Sequence, residues 1–325
     1  MSLSIVMREH GGPEVLTAVE TETGNPPPGH IRLRQTAVAV NFHDIYVRTG
    51  QYRTLTLPGI PGLEAAGVVT DTGPGVTGFK SGDRVAYMTY GYGGYATERN
   101  LSADLAVKIP AGVDDVTAAS VYLKGLTAEM LVRRVHPIKS GETILVHAAA
   151  GGVGNLLVQW AVRLGAKVIG TAGSAEKLAF ARQAGCSHVI NYRSENFVKA
   201  VLDITGGLGV DTVYDSVGRD TFKGSLECLA QCGHLVNFGQ SSGPVDAIAP
   251  SELFGKSLTL SRPNVFHYAQ KNRSTLEEVS AALFDGFVEG WLTAPAPVLL
   301  PLADAAEAHR LVESRAVSGS VILRP

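Results

Sequence analysis

Cysteine is scarce: Cys186, Cys228 and Cys232 are the only three in 325 residues, and no two form a Cys-x-x-Cys pair. An odd, sparse set excludes a disulfide framework. Cys228 and Cys232, four apart, are expected to share one face of a helix, and two thiolates without further ligands make no metal site. Excess charge is missing as well, with 28 basic against 30 acidic residues. A chain so balanced lacks the cationic footprint that nucleic acid demands. No apolar run is long enough to span a bilayer, and no basic start precedes an apolar stretch near the N-terminus. Cytoplasm is the expected location. Repeats and low-complexity tracts are absent, and 325 residues are enough for two cores.

What is present is concentrated in His147-Ala148-Ala149-Ala150-Gly151-Gly152-Val153-Gly154. The short apolar run Thr143 to His147 precedes it as a strand, and Val153 to Leu164 follows with apolar residues at helical spacing, stopped by Gly165. Ala149-x-Gly151-x-x-Gly154 matches the dinucleotide fingerprint with alanine at its first glycine. Gly151, Gly152 and Val153 then line a diphosphate at the start of the helix, and Gly154 lets that helix pack on the strand. An NAD site would carry an acid about 20 residues past the loop, where this chain has Ala172-Gly173-Ser174. With no carboxylate to repel a 2′-phosphate and Lys177 one turn beyond the N-cap Ser174, the expected cofactor is NADPH. A solvated helix lysine is the other reading of Lys177. Tyr192 follows the third strand, where it either closes over the same phosphate or packs its ring with a wet hydroxyl.

Two changes of pattern divide the chain. From Ile5 to about Lys108, strand-like runs alternate with Gly/Pro punctuation, the pattern of an antiparallel β domain. From Ser120 to about Ser261 strands alternate with helices, giving an α/β fold with a doubly wound parallel sheet on strands 143-147, 167-170, 188-191, 211-215, 234-238 and 257-261. The tail is read as two helices opened by capping boxes, Ser274-x-x-Glu277 and Asp304-x-x-Glu307, and a closing strand at 320-323. The expected division is 1-122 with 264-325 for one domain and 123-263 for the other.

Long, specific strings carry a resemblance over nearly all of the chain. They are His10-Gly11-Gly12-Pro13-Glu14-Val15-Leu16, Asn41-Phe42-x-Asp44, Gly82-Asp83-Arg84-Val85, Leu123-Lys124-Gly125-Leu126-Thr127, the glycine loop, Val189-Ile190-Asn191-Tyr192, Tyr214-Asp215-Ser216-Val217-Gly218-Arg219-Asp220 and Glu313-Ser314-Arg315-Ala316. The chain resembles the zinc-free medium-chain dehydrogenases/reductases, in particular bacterial NADPH:quinone oxidoreductases related to zeta-crystallin. The resemblance implies a GroES-like catalytic domain built from both chain ends, a central Rossmann domain, a cofactor cleft between them and a homodimer. It carries Gly173, Ser174, Lys177, Tyr192, Ser216, Phe238, Gly239 and Arg315 to contacts with NADPH, and places Asn41, Tyr46 and Tyr52 beside the nicotinamide.

In zinc-dependent relatives a cysteine ligand stands at the position of Asn41 and a histidine ligand at that of Leu63. The segment from Tyr87 to Lys108 also lacks the four cysteines of their structural zinc lobe. No metal is expected. Without a Lewis acid the substrate has to be a good electrophile, and a quinone qualifies because hydride leaves an aromatic hydroquinone anion. Asn41, Tyr46 and Tyr52 are the candidate catalytic residues, an amide to orient a carbonyl and phenols that donate and stack. Turn formation and β-domain packing are their other readings. His43 is left outside the set as a lone loop histidine. Tyr87, Tyr90, Tyr92 and Tyr95 read as alternating strand and turn surface, or as an entrance wall. Two alternatives stand beside quinone reduction: reduction of an enone or enoyl double bond, and a non-catalytic NADPH- or RNA-binding role of the zeta-crystallin kind.

Overall fold

The structure, a computed structural model, describes residues 2–315, 317 and 319–325. Strand β1 (Ser2–Val6) pairs antiparallel with β2 (Thr17–Thr21). Alternation along His30–Val40 makes β3, burying Ile31, Leu33 and Gln35 while Arg32 and Arg34 lie toward solvent. A short helix, α1 (Phe42–Arg48), follows. Then come β4 (Glu64–Thr72), β5 (Arg84–Met88), β6 (Glu98–Ser102), β7 (Ala106–Lys108) and the helix α2 (Asp115–Met130). β3 pairs antiparallel with β4 and β6, and the ladder continues through β5 to β7.

Next the pattern switches to strand and helix in turn: β8 (Thr143–Val146), α3 (Gly152–Arg163), β9 (Lys167–Ala172), α4 (Ala175–Gln183), β10 (His188–Asn191), α5 (Phe197–Ile204), β11 (Val210–Asp215), α6 (Phe222–Cys228), β12 (Leu229–Asn237), β13 (Thr259–Ser261) and α7 (Val265–Ala269). These six strands form one sheet in the order β10-β9-β8-β11-β12-β13, parallel throughout. Winding reverses between β8 and β11, where ligands of such sheets bind at the carboxyl ends of the strands. The tail supplies α8 (Arg273–Val288), β14 (Val298–Pro301), α9 (Ala305–Ser314) and β15 (Val321–Arg324); β15 pairs antiparallel with β3. Two units result, Met1–Lys124 with Ala269–Pro325, and Gly125–Tyr268. The limits drawn from the sequence, 122/123 and 263/264, differ from these by two and five residues. Among the described residues no helix is long and apolar enough to cross a membrane.

Several expectations are corrected. Cys228 ends α6, whereas Cys232 lies in β12 at φ 58, so the two do not share a helix face. β12 starts at Leu229, earlier than expected, because its first pair with β11 is separated from the rest by a register shift. Asn272, not Ser274, caps α8 and accepts from the Thr275 N–H, leaving Glu277 to pair with Arg273. Asp304 makes no side-chain cap, and Glu307 pairs with Arg310. Tyr87, Tyr92 and Tyr95 are buried rather than surface residues, and Tyr90 alone of the four is exposed.

In the first unit a buried polar group ties α1 to α9. Arg48, 1% exposed, donates to both carboxylate oxygens of Glu313 at 2.5 and 3.1 Å. The Tyr95 hydroxyl and Nε2 of buried His309 are hydrogen-bonded at 2.9 Å. Burial, with the Arg48 charge beside it, pulls the His309 imidazole from 6.5 down to about 3. The unfolded chain therefore takes up a proton that the folded chain refuses, so this contribution is full above about pH 6.5 and is lost as pH falls toward 3. Burial pushes the Asp44 carboxyl up to about 7, and its slope runs the other way, with stability lost as pH rises from 3.8 through 7. His309→Gln can still hydrogen-bond Tyr95 but does not titrate. It is expected to flatten the acid limb of stability while leaving the Asp44 limb, as measured by urea denaturation midpoints across that range.

Candidate active site

The glycine loop bridges β8 and α3. The left-handed position in it is Ala148, at φ 50, and not Ala149, where the fingerprint places the tight turn. Such a conformation costs an alanine on the order of 1 kcal/mol. Gly154 is required by packing, since a Cβ there would lie 2.3 Å from the Ala148 carbonyl oxygen. No side chain caps α3 at Gly151, an arrangement that leaves the first-turn N–H groups, at Gly152 and Val153, to face an anion.

The end of β9 carries Gly173 and Ser174, and Ser174 caps α4 by accepting from the Lys177 N–H at 3.3 Å. A Cβ on Gly173 would meet the Tyr192 hydroxyl at 2.6 Å and Arg193 Nε at 3.2 Å. Gly173, Tyr192 and Arg193 therefore converge, with Lys177 in the first turn of α4. Arg193 escapes the sequence reading. Its signal is a second cation directly after the third strand, beside the acid-free end of the second.

Loops after β11 and β12 carry Ser216, Phe238 and Gly239, and a buried carboxylate holds the first. Asp215 Oδ1 accepts from the N–H groups of Val217 and Gly218 at 2.8 and 3.0 Å, while Oδ2 accepts from Thr221 and Ser225 at 2.8 and 3.1 Å. Its carbonyl accepts from Phe238 N–H at 2.8 Å. A Cβ on Gly239 would lie 2.5 Å from the Ser216 carbonyl oxygen, so only glycine lets the two loops touch. Arg262 donates to the carbonyl oxygens of Asn237 and Gly239 at 3.2 and 2.8 Å. His147 completes the group, with Nε2 at 3.0 Å from Ser225 and Nδ1 at 3.0 Å from Thr171. Burial lowers its pKa. Ser225 donates to Asp215 or to the Thr221 carbonyl, so a neutral His147 with its proton on Nε2 satisfies the network.

In the other unit Asn41 is the N-cap of α1. Its backbone N–H donates to Asp44 Oδ2 at 2.8 Å, and its side chain donates from Nδ2 to Glu64 Oε1 at 2.8 Å. His43 and Tyr46 are three apart on α1, hence on one face. Tyr52 meets both, with ring centroids 5.1 Å from Tyr46 and 5.2 Å from His43, each edge to face. Tyr90 and Tyr92 join at 6.0 and 6.3 Å from His43. The tyrosine quartet thus divides: Tyr87 and Tyr95 enter the core, while Tyr90 and the buried Tyr92, whose hydroxyl bonds Thr54 and lies 3.3 Å from His43 Nε2, extend the ring cluster. Burial pulls His43 down to about 4, so it is neutral near pH 7. It belongs with the candidate residues, although the sequence pattern leaves it outside them. Arg315 terminates α9 in the left-handed region at φ 55 and is exposed. Ala316, the last residue of its motif, lies outside the described residues.

Comparison with known proteins gives the family. Residues 27–111 match the alcohol dehydrogenase GroES-like domain and residues 152–284 the zinc-binding dehydrogenase family. Quinone oxidoreductase 1 of Escherichia coli is 44% identical over 100% of both chains. The chain belongs to the quinone oxidoreductases of the medium-chain dehydrogenase/reductase superfamily. The crystal structure of an E. coli quinone oxidoreductase complexed with NADPH superimposes with a TM-score of 0.96 at 44% identity, covering 99% of this chain and 100% of that one. A 2-haloacrylate reductase of Burkholderia is also 43% identical, over 100% of this chain and 99% of its own. Among the described residues no three His, Cys, Asp or Glu side chains are grouped to hold a metal ion. Asp215 anchors the loop after β11 that carries Ser216. Asp215→Asn puts an amide donor against hydroxyl and N–H donors, so unfolding in urea is expected to show a loss of about 3 kcal/mol.

Proposed function

We propose that the protein is a metal-independent NADPH:quinone oxidoreductase. The observation that carries this reading is the ring cluster beside Asn41: Tyr46, Tyr52, Tyr90 and a neutral His43, backed by the buried Tyr92, offer flat surfaces and hydrogen-bonding groups without charge. Such a wall suits a flat, uncharged electrophile. The names of relatives such as the E. coli enzyme support the same substrate class. Metal independence rests on side-chain chemistry, since Leu63 has no donor atom and the Asn41 amide is engaged by Glu64.

Gly151, Gly152 and Val153 would hold the diphosphate, and Gly173, Ser174, Lys177 and Tyr192 the 2′-phosphate, with Arg193 as an added donor. Ser216, Phe238, Gly239 and Arg315 complete the cofactor contacts, and Asn41 faces the nicotinamide. The fit is that of an acid-free β9 end beside two cations, together with a cradle at Gly154 that a Cβ would fill. When bound, NADPH supplies the hydride. The second N–H of the Asn41 amide and the hydroxyls of Tyr46 and Tyr52 donate to the quinone oxygen on which charge develops. A proton from water completes the hydroquinone. We assign most of the cofactor binding to Gly125–Tyr268, and substrate chemistry together with the contacts of Asn41 and Arg315 to the other unit. We further take the protein to be a cytoplasmic homodimer that binds neither nucleic acid nor membrane, in keeping with its resemblance and its net charge of −2.

One finding favours a second reading. The 43% identity to a 2-haloacrylate reductase raises reduction of an electron-poor carbon–carbon double bond. A haloacrylate bears a carboxylate, for which the ring cluster offers no cation, so the quinone reading comes first. Turnover of NADPH with a para-quinone, an ortho-quinone, an enone and a 2-haloacrylate decides between them. Fast oxidation with the quinones, undisturbed by chelator, is expected; turnover confined to the alkenes would reverse the order. Lys177→Ala is expected to weaken NADPH binding roughly ten- to a hundredfold and leave NADH binding unchanged, as read by cofactor titration. Equal losses for both cofactors would contradict the placement of Lys177.

A further inference from the structure

Glu64 is 0% exposed, and its two carboxylate oxygens have different partners. Oε1 accepts from Asn41 Nδ2 at 2.8 Å and lies 3.5 Å from Lys124 Nζ; Oε2 accepts from the Leu123 backbone N–H at 2.6 Å. Lys124 is itself 11% exposed at its side chain. A carboxylate placed so deep is costly unless it is paired and hydrogen-bonded, and here one cation and two donors meet it. The consequence for Asn41 is geometric. A carboxylate only accepts, so the Asn41 amide has one possible orientation, with Nδ2 toward Glu64. At the other end of the residue, the N–H bond to Asp44 fixes the backbone from which the side chain departs.

We infer that Glu64 is a positioning residue for Asn41, pinning one N–H of the amide so that the other is presented to the substrate oxygen. Lys124 neutralises the carboxylate, so the amide is held without placing a net negative charge beside the oxygen on which charge develops. This rests on the proposed role of Asn41. Neighbouring side chains do not duplicate the contact: Asp44 engages the backbone of Asn41 and not its amide.

The test is a double-mutant cycle in the full-length protein, with kcat, quinone KM and NADPH affinity measured for Asn41→Ala, Glu64→Gln and the double variant. A glutamine side chain retains the shape of Glu64 but presents one oxygen and one NH2, so it cannot accept from both Asn41 and Leu123. Glu64→Gln is expected to lower kcat roughly ten- to a hundredfold, with NADPH affinity held. The double variant should turn over no more slowly than Asn41→Ala alone. Independent, multiplicative losses would overturn the inference, because they would show Glu64 acting on the fold and not through Asn41. Wild-type turnover by Asn41→Ala would remove the reading of Asn41 itself, and the inference with it. Should Glu64→Gln not fold, the exchanged pair Asn41→Asp with Glu64→Gln reverses the donor and acceptor and keeps the contact. It is expected to fold and to remain as slow as Asn41→Ala, whereas recovery to wild-type turnover would overturn the inference.

Discussion

Asn41 lies between two buried carboxyl groups, and the geometry of the proposed substrate side depends on how each is compensated. Asp44 receives the Asn41 backbone N–H and, fully buried, is pushed up to about 7. Glu64 receives the amide and faces Lys124. Burial raises the proton affinity of the one, while the other meets a cation and two donors. Between them they fix the start of α1, and with it His43 and Tyr46 on the same helix. The far end of α1 is fixed by the Arg48–Glu313 pair, which ties it to α9. A seven-residue helix has little stability of its own, so these anchors, and not helix propensity, hold the site residues in place.

The proposed cofactor side uses the same device. Asp215, buried at the end of β11, gathers two backbone N–H groups and two hydroxyls and so shapes the loop that carries Ser216. Arg262 does the complementary work on the loop after β12, donating to carbonyls where Asp215 accepts from N–H groups. Each of the two loops is braced by a charged side chain with several partners, the condition for preorganised electrostatics.

The parallel sheet was legible because its signals are local. The run Thr143 to Val146 is apolar, α3 has helical periodicity, and Gly165 ends it at φ 89. The acid-free end of β9 was legible for the same reason. Helix α1 was not, because seven residues give too little period within a β domain. Tyrosine placement failed on parity: Tyr87 points inward on β5, but the strand ends at Met88, so the alternation carries no information about Tyr90 and Tyr92. Choosing Ser274 over Asn272 as the cap failed because both are capping types and only backbone conformation separates them. Glu64, Arg193 and Asp215 act through partners that spacing along the chain does not identify.

In the proposed mechanism a held amide and neutral rings, and not a metal ion, receive the charge that hydride transfer creates. A single turnover tests it most directly: protein stripped of metal by chelator is loaded with NADPH and mixed with a para-quinone, with and without added zinc, while the nicotinamide absorbance is followed. One fast phase of equal rate in both samples is the predicted result. Oxidation that appears only when zinc is restored would contradict it.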